Sequence, residues 1–350
     1  MRVTIKEIAR ELGISHSTVS RVLNDKQSAL VSEATRERIR QTATRMGYRP
    51  NRLAQALKNE STRLIGVLLP DEENFFYQSV LANLRTCVEQ SGYELLLTVS
   101  SQEQVKANWF RLLRWELDGI FVFDYMFYTD ALWQALQQHT GYVPPVVGLF
   151  SHETQLQDYV AVDFQGALET LLSYLHRQGR RSLGYMALPG SFGPTEQRYT
   201  LCKRFAQAHQ LSLLDMPLPP EKDLRAAARR TLVSYVQAGH PLPDALYCQD
   251  DEICLGAYRA LVECGVPVPD RVALAGCDDI PYISYLETPL TTLSLPVREV
   301  CRQGWRILQN RMAVPDSPPW QVTLEATLHL RASTEQQTQC AVRSLVSGGG

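Results

Sequence analysis

The chain has 350 residues, 45% of them hydrophobic and 21% charged, and its formal net charge is −2. That length predicts two or three domains, and the lack of any apolar run of ~18 residues excludes a membrane-spanning helix. The first residues read as a polar amphipathic helix and not as a secretory signal, so a cytoplasmic, nucleoid-associated protein is expected.

The predicted elements begin with three short helices. Thr4-Ile5-Lys6-Glu7 is a capping box that opens a helix at Ile5, because Thr and Glu each satisfy an N–H that has no partner inside the helix. Ile5, Ile8, Ala9 and Leu12 recur at three- and four-residue spacing and share one face. Gly13 ends the helix, since it tolerates the left-handed conformation of a sharp turn. Ile14 plugs a core, and Ser15 caps a second helix. In that helix Val19, Val22 and Leu23 face inward, while His16, Ser17, Ser20 and Arg21 face outward. Small, polar and cationic side chains of this kind can approach base edges and phosphates. A third helix starts at Ser32, runs through Ile39, Ala43 and Met46, and stops at Gly47. Helix, tight turn, helix and bracing helix is the helix-turn-helix plan. Residues 1–60 hold twelve Lys/Arg against six Asp/Glu, a net +6 that leaves −8 for the remainder. A basic head on an acidic body suits a phosphate polyanion; the bland alternative is a three-helix scaffold.

Pro50 prevents the third helix from continuing. Asn51 to Lys58 is helix-prone but only about two turns long, and such a helix is marginal alone in water. It forms only when packed, either against a second copy on DNA or on its own body.

From Leu64 the pattern changes to alternating strands and helices. Leu64–Leu69 is a continuous apolar strand, as buried parallel strands are. Helix Phe75–Gln90, strand Tyr93–Val99, helix Gln102–Leu117, strand Gly119–Phe123, helix Thr129–His139 and strand Pro145–Phe150 follow. Asp158–Asp163 is expected to start a second set. That set comprises helix Gln165–Gln178, strand Ser182–Ala187, helices Thr195–His209 and Leu224–Ala238, strand Ala245–Cys248, helix Glu252–Cys264 and strand Val272–Gly276. Leu290–Leu295 and helix Val297–Arg311 read as a return to the first lobe, and strand Val322–Arg331 as closing the second. The fold expected is a small all-α helix-turn-helix head plus an α/β body of two doubly wound parallel-sheet lobes.

The head sequence closely resembles the lac repressor (LacI/GalR) family of bacterial regulators. The resemblance rests on Thr4-Ile5-Lys6-Glu7-Ile8-Ala9, Gly13-Ile14-Ser15, Thr18-Val19-Ser20-Arg21-Val22-Leu23-Asn24, Thr35-Arg36-Glu37-Arg38-Ile39 and Gly47-Tyr48-Arg49-Pro50-Asn51. It extends more loosely to about residue 335. It implies a head over 1–49, a hinge over 50–62, a periplasmic-binding-protein-like effector-binding and dimerisation body over 63–335, and a tail over 336–350. Lobe one would span about 63–161 and 293–322, and lobe two about 162–292 and 323–335. The DNA contacts it implies are Thr4, Ser15, His16, Ser17, Thr18, Ser20, Arg21, Asn24, Tyr48, Asn51, Arg52, Ala54 and Leu57. Leu57 would be the residue that wedges into the minor groove and kinks the duplex; the alternative is that it packs on its own body.

Ligands of doubly wound sheets sit beyond the carboxyl ends of the strands. Asp71, Asn74, Phe75 and Phe76 follow the first strand, Asp124 the third, and Phe150 with Ser151 the fourth. Gln249, Asp250 and Asp251 follow Cys248, Asp278 and Asp279 follow Gly276, and Arg198 opens a helix. Carboxylates, a guanidinium and aromatic faces suit a neutral polyhydroxylated ligand. Asp250-Asp251-Glu252-Ile253-Cys254-Leu255-Gly256 resembles the family's Asn-Asp-x-x-Ala-x-Gly with Asp in place of Asn. Gly276-Cys277-Asp278-Asp279 resembles Gly-(aromatic)-Asp-Asp with Cys in place of the aromatic. Arg198-Tyr199-Thr200-Leu201-Cys202 keeps the Arg of Arg-x-x-Gly-Phe but not the Gly-Phe. The resemblance makes Arg198, Asp250 and Asp278 the effector ligands, with Asn74, Phe75, Phe76, Asp124 and Phe150 as further candidates. Asp251 and Asp279 read equally well as caps or inter-helix partners, and Asp124 reads better as structural.

Eight cysteines are scattered with no Cys-x-x-Cys pair, which reads as free thiols. No metal or cofactor is expected, and no nucleophile elbow, phosphate loop or dinucleotide fingerprint points to an enzyme. The tail shows no sustained Leu heptad, so a homodimer is expected in place of a tetramer. The expected function is a repressor of a carbohydrate-utilisation operon that binds operator DNA and a small sugar. The alternative within regulation is a nucleoside- or purine-responsive repressor, and outside it an α/β enzyme with a DNA-binding head.

Overall fold

The structure is a computed structural model that describes residues 3–23, 31–48, 61–70, 74–101, 104–123, 144–150, 156–193 and 196–335. Asn24, the expected hinge helix with Asn51, Arg52, Ala54 and Leu57, Asp71, Asp124, the expected helix Thr129–His139 and the tail lie outside the described residues. The chain divides into two units, residues 1–63 and 64–350.

The head contains α1 (Ile5–Leu12), α2 (His16–Leu23) and α3 (Glu33–Arg45). Each helix contributes one fully buried residue to a small core, Ile8, Val19 and Ile39, and Ala9, Val22, Val31 and Ala43 surround them. Burying such a side chain contributes about 1.5–3 kcal/mol, so a core this small depends on well-made helix ends. The Glu7 N–H donates to Thr4 Oγ1 at 3.4 Å, and the Thr4 N–H donates to Glu7 Oε2 at 2.7 Å. Gly13 takes φ 66° and its N–H closes α1 on the carbonyls of Ala9 and Arg10.

The body begins with β1 (Leu64–Pro70), α4 (Phe75–Gln90), β2 (Glu94–Ser100), α5 (Val105–Leu113), β3 (Gly119–Val122), β4 (Val146–Leu149) and β5 (Tyr159–Asp163). There follow α6 (Gln165–Arg177), β6 (Ser182–Ala187), α7 (Gln197–Ala208), β7 (Ser212–Pro217), α8 (Leu224–Gln237), β8 (Ala245–Cys248), α9 (Asp251–Glu263) and β9 (Ala273–Cys277). The remainder is β10 (Thr291–Ser294), α10 (Val297–Ala313), β11 (Gln321–Glu325) and β12 (Thr327–His329). One sheet has the order β11-β5-β4-β3-β1-β2 and the other β12-β10-β9-β8-β6-β7. Neighbouring strands are parallel except β12, which runs antiparallel to β10.

Four strands fall differently from the sequence reading. The Asp158–Asp163 segment does not start the second set: β5 pairs with β4 and β11 in the first sheet. The Leu290–Leu295 segment does not return to the first lobe: β10 pairs with β9 in the second sheet. The single strand expected over Val322–Arg331 is two, β11 in the first sheet and β12 in the second, with the chain stepping between sheets at Ala326. A short buried strand carries no local mark of which sheet it joins, so these assignments are long-range. The fourth, β7, was not expected; it is an edge strand, where Asp215 and Pro217 are tolerated because one row of backbone groups needs no partner.

Helix α10 does belong to the first lobe. Arg311 forks onto the Asp158 carboxylate at 2.7 and 3.0 Å, and the Trp320 N–H reaches the same carboxylate at 2.9 Å. The chain therefore passes between lobes at β5–α6, β10–α10 and β11–β12. None of the described helices is long and apolar enough to cross a membrane.

Candidate functional site

On α2 of the head, His16, Ser17 and Arg21 are exposed while Val19 and Val22 are buried. The outward face is thus the expected set of base- and phosphate-reaching side chains, with Ser20 half-buried beside them. Thr4, Ser15 and Thr18 have structural duties as well. The Thr4 hydroxyl donates to Glu7 at 3.0 Å. Ser15 Oγ accepts the Thr18 N–H at 3.1 Å and lies 2.7 Å from the Thr18 hydroxyl. Tyr48 is half-buried against the head core, and its N–H closes α3 on the Ala43 carbonyl at 2.9 Å.

In the body, the carboxyl ends of β8 and β9 and the start of α7 bring Arg198, Asp250 and Asp278 together, and the charges of the three act on one another. Asp250 is the N-cap of α9 and accepts the Ile253 N–H at 2.7 Å. Burial pushes its carboxyl up to about 6, opposed by that N–H, with Glu252 adding to the rise and Arg198 countering it. Asp278 sits at φ 110°, a left-handed conformation that costs a non-glycine residue energy. Burial and the neighbouring charges of Asp250 and Asp251 hold its carboxyl well above the usual range, while Arg198 opposes them.

Arg198 is more constrained than a sugar-binding arginine read from sequence. Its Nε and Nη2 donate to the two Glu196 oxygens at 2.7 and 3.1 Å, and its Nη1 donates to the Gln249 carbonyl at 2.7 Å. Its guanidinium lies 4.9 Å from the centroid of the Phe164 ring, a cation–π contact. Sequence reasoning missed Glu196 and Phe164. Glu196 also accepts the Arg198 N–H at 3.2 Å as the cap of α7, and the pattern Glu-x-Arg at a helix start was the available signal.

The paired aspartates separate into different duties. Asp251 is fully buried, accepts the Ile280 N–H at 3.0 Å and the Thr292 hydroxyl at 2.8 Å, and so joins α9 to the loop after β9 and to β10. Asp279 accepts Arg331 at 2.6 Å and lies 3.0 Å from His329 Nδ1. Both are partners between elements. Gly276 makes this possible, because a Cβ there would stand 2.3 Å from Asp251 Oδ1.

The remaining candidates lie on the first lobe. Asn74 caps α4 by accepting the Phe76 N–H at 2.8 Å. Phe76 and Phe150 are buried and pack edge-to-face with centroids 4.9 Å apart, and Phe150 also stacks on Phe123 at 5.9 Å. Their faces are largely spent on each other. Phe75 instead reaches the second lobe, edge-on to Tyr282 at 5.9 Å, and its N–H donates to Glu252 at 3.2 Å. Glu252 and Tyr282 were likewise missed from sequence. Among the described residues no three His, Cys, Asp or Glu side chains are grouped to hold a metal ion, and the described cysteines are free thiols.

Residues 4–51 match the family model "Bacterial regulatory proteins, lacI family", and residues 172–334 match "Periplasmic binding protein-like domain". The HTH-type transcriptional repressor PurR of Vibrio parahaemolyticus is 27% identical over 317 residues, spanning 88% of this chain and 92% of that protein. The lac repressor dimer bound to operator and an anti-inducer has the same fold, with a TM-score of 0.78 at 22% identity over 95% of this chain and 99% of that one. A CelR–cellobiose complex aligns with a TM-score of 0.62 at 23% identity over 95% and 100%. The named relatives are transcriptional regulators and not enzymes.

Proposed function

We propose, for a chain that belongs to the LacI family of bacterial regulatory proteins, that it is the homodimeric repressor of a carbohydrate-utilisation operon. Regulators of this family bind operator DNA and small-molecule effectors, and the present chain is a DNA-binding transcriptional regulator. The finer reading is that a small sugar enters the cleft between the lobes at Arg198, Asp250 and Asp278. There it changes the angle between the lobes, and the change sets the affinity of the head for its operator. Such a ligand acts only through its different affinity for the two arrangements. Two α2 helices in a dimer would then lie about one helical turn apart, roughly 34 Å, on a near-palindromic site in the cytoplasm.

The observation that carries this reading is the exposed His16-Ser17-Arg21 face on a capped helix of a basic head. A second copy is supported by edge strand β2, where Leu97 and Val99 are 43% and 47% exposed, because an apolar strand edge is normally covered. A sugar is favoured over a nucleoside because the Phe76 and Phe150 rings are buried against protein neighbours, which leaves little ring face to sandwich a base.

The test has two stages. A duplex selected from a random pool by the full chain should be near-palindromic and bind one dimer in a gel shift. A panel of neutral sugars, sugar phosphates and nucleosides is then titrated into that complex. Release or tightening by a neutral sugar supports the reading, and a response to nucleosides alone would replace it with the nucleoside alternative.

A further inference from the structure

We infer that Glu196 is a charge gate on the effector site: by filling the fork of Arg198 it restricts the effector to molecules without an anionic group. The inference rests on the reading that Arg198, Asp250 and Asp278 hold the effector, and it names the ligand class that this site takes.

An arginine recognises a carboxylate or phosphate through two parallel N–H groups. In Arg198 that pair, Nε and Nη2, already grips Glu196 at 2.7 and 3.1 Å. A third donor, Nη1, is given to the Gln249 carbonyl. The ion pair is well protected, with side-chain exposures of 14% and 18% for Arg198 and Glu196. Breaking such a shielded pair to admit another anion would leave Glu196 without its counter-charge.

The surroundings point the same way. Asp250 and Asp278 face the same guanidinium, and Asp251 lies behind them with its oxygens committed to Ile280 and Thr292. An incoming phosphate or carboxylate would add negative charge beside carboxyls that already crowd one another. A neutral hydroxyl meets no such opposition. It can donate to an aspartate oxygen and accept from the N–H groups of Arg198 that Glu196 does not hold. The guanidinium also lies over the Phe164 ring, a cation–π contact that favours its present orientation.

The gate can be tested without knowing the effector, with inorganic phosphate as the probe in equilibrium dialysis. The full-length wild type, Glu196→Gln, Glu196→Asp and the double variant Glu196→Gln/Arg198→Ala are compared at one ionic strength. Glu196→Gln keeps an oxygen to cap α7 but gives up the charge, so it should gain a saturable phosphate site on the order of tenfold tighter than any in wild type. The double variant should lose that gain, which separates it from phosphate held by the basic head. Glu196→Asp, shorter and still charged, should not acquire the site and serves as the folded control. If wild type binds phosphate through Arg198 as tightly as Glu196→Gln, or if neutralising residue 196 brings no gain, the gate is wrong. Failure of every neutral sugar in the effector panel would instead count against the sugar-sensing reading, so the two failures are distinct.

Discussion

The backbone N–H of Phe75, at the start of the first helix of lobe one, donates at 3.2 Å to the carboxylate of Glu252 on lobe two. The same oxygen accepts the Tyr282 hydroxyl, the other oxygen lies 3.5 Å from Arg225, and the Phe75 ring meets the Tyr282 ring edge-on. Glu252 is 1% exposed, and its Oε1 takes both donors. This clasp crosses the cleft, and opening the lobes must break its Phe75 half.

Phe75→Ala removes the ring that meets Tyr282 across the cleft and leaves Glu252 on its lobe-two partners Tyr282 and Arg225. The lost edge-to-face ring pair is worth about 0.5–1.5 kcal/mol beyond its area burial, and the lobes should open more readily. Small-angle scattering of the variant without effector should report a larger radius of gyration than wild type. An unchanged radius with unchanged thermal stability would show that the clasp does not hold the cleft.

Gly276→Ala should destabilise the body by about 2–4 kcal/mol. The new methyl would stand 2.3 Å from Asp251 Oδ1 and 2.9 Å from the Cys254 Cβ. The carboxylate would have to leave Ile280 and Thr292, its present donors. The urea midpoint should fall at unchanged slope; a midpoint within error of wild type would mean that the loop after β9 yields freely.

The raised carboxyl of Asp250 makes body stability depend on pH. In the unfolded chain it loses its proton near pH 3.9, whereas in the folded body it keeps it to about 6. The folded state therefore binds more protons in between, and stability falls as pH rises from about 4 to about 6. Two units correspond to about 3 kcal/mol. Asp278 is shifted in the same direction. Asp250→Asn still caps α9, because Asn serves as well as Asp at that position. Its urea midpoint should change less between pH 4.5 and 7 than that of wild type, and an equal change would remove Asp250 from the account.

Arg21→Ala should weaken operator binding by about 1–3 kcal/mol if the side chain meets a base. Because Arg21 is exposed, the unfolding of the head should not move. Fluorescence anisotropy with the selected duplex measures the first, and circular dichroism the second. Equal affinity of variant and wild type would take Arg21 out of the interface.

Arg198→Ala should leave operator binding intact and abolish the effector response in a gel shift. It also strands Glu196, which has 18% side-chain exposure, so some loss of body stability accompanies it. A variant that still responds with wild-type midpoint would remove Arg198 from the effector site.

How much of this was legible in advance differs between head and body. Thr4 with Glu7, Gly13, Ser15 and Ser32 act on residues within four positions, and the core pairs Ile5 and Ile8, Val19 and Val22, and Ile39 and Ala43 stand three or four apart within their own helices. Every one of those signals is local, so the residues themselves determined the helix-turn-helix head, its outward face and the alternating α/β body. The positions of Arg198, Asp250 and Asp278 at helix starts and strand ends were determined in the same way.

Only the tertiary structure decided which sheet takes β5, β10 and β11, since hydrogen bonds between strands join residues distant along the chain and apolar strands look alike. It alone decided that Asp251 and Asp279 are cross-braces, that Glu196 holds the fork of Arg198, and that Glu252 reaches Phe75 across 177 positions. A carboxylate's role depends on which donor stands within about 3 Å of it, and that is set by folding and not by its neighbours in sequence.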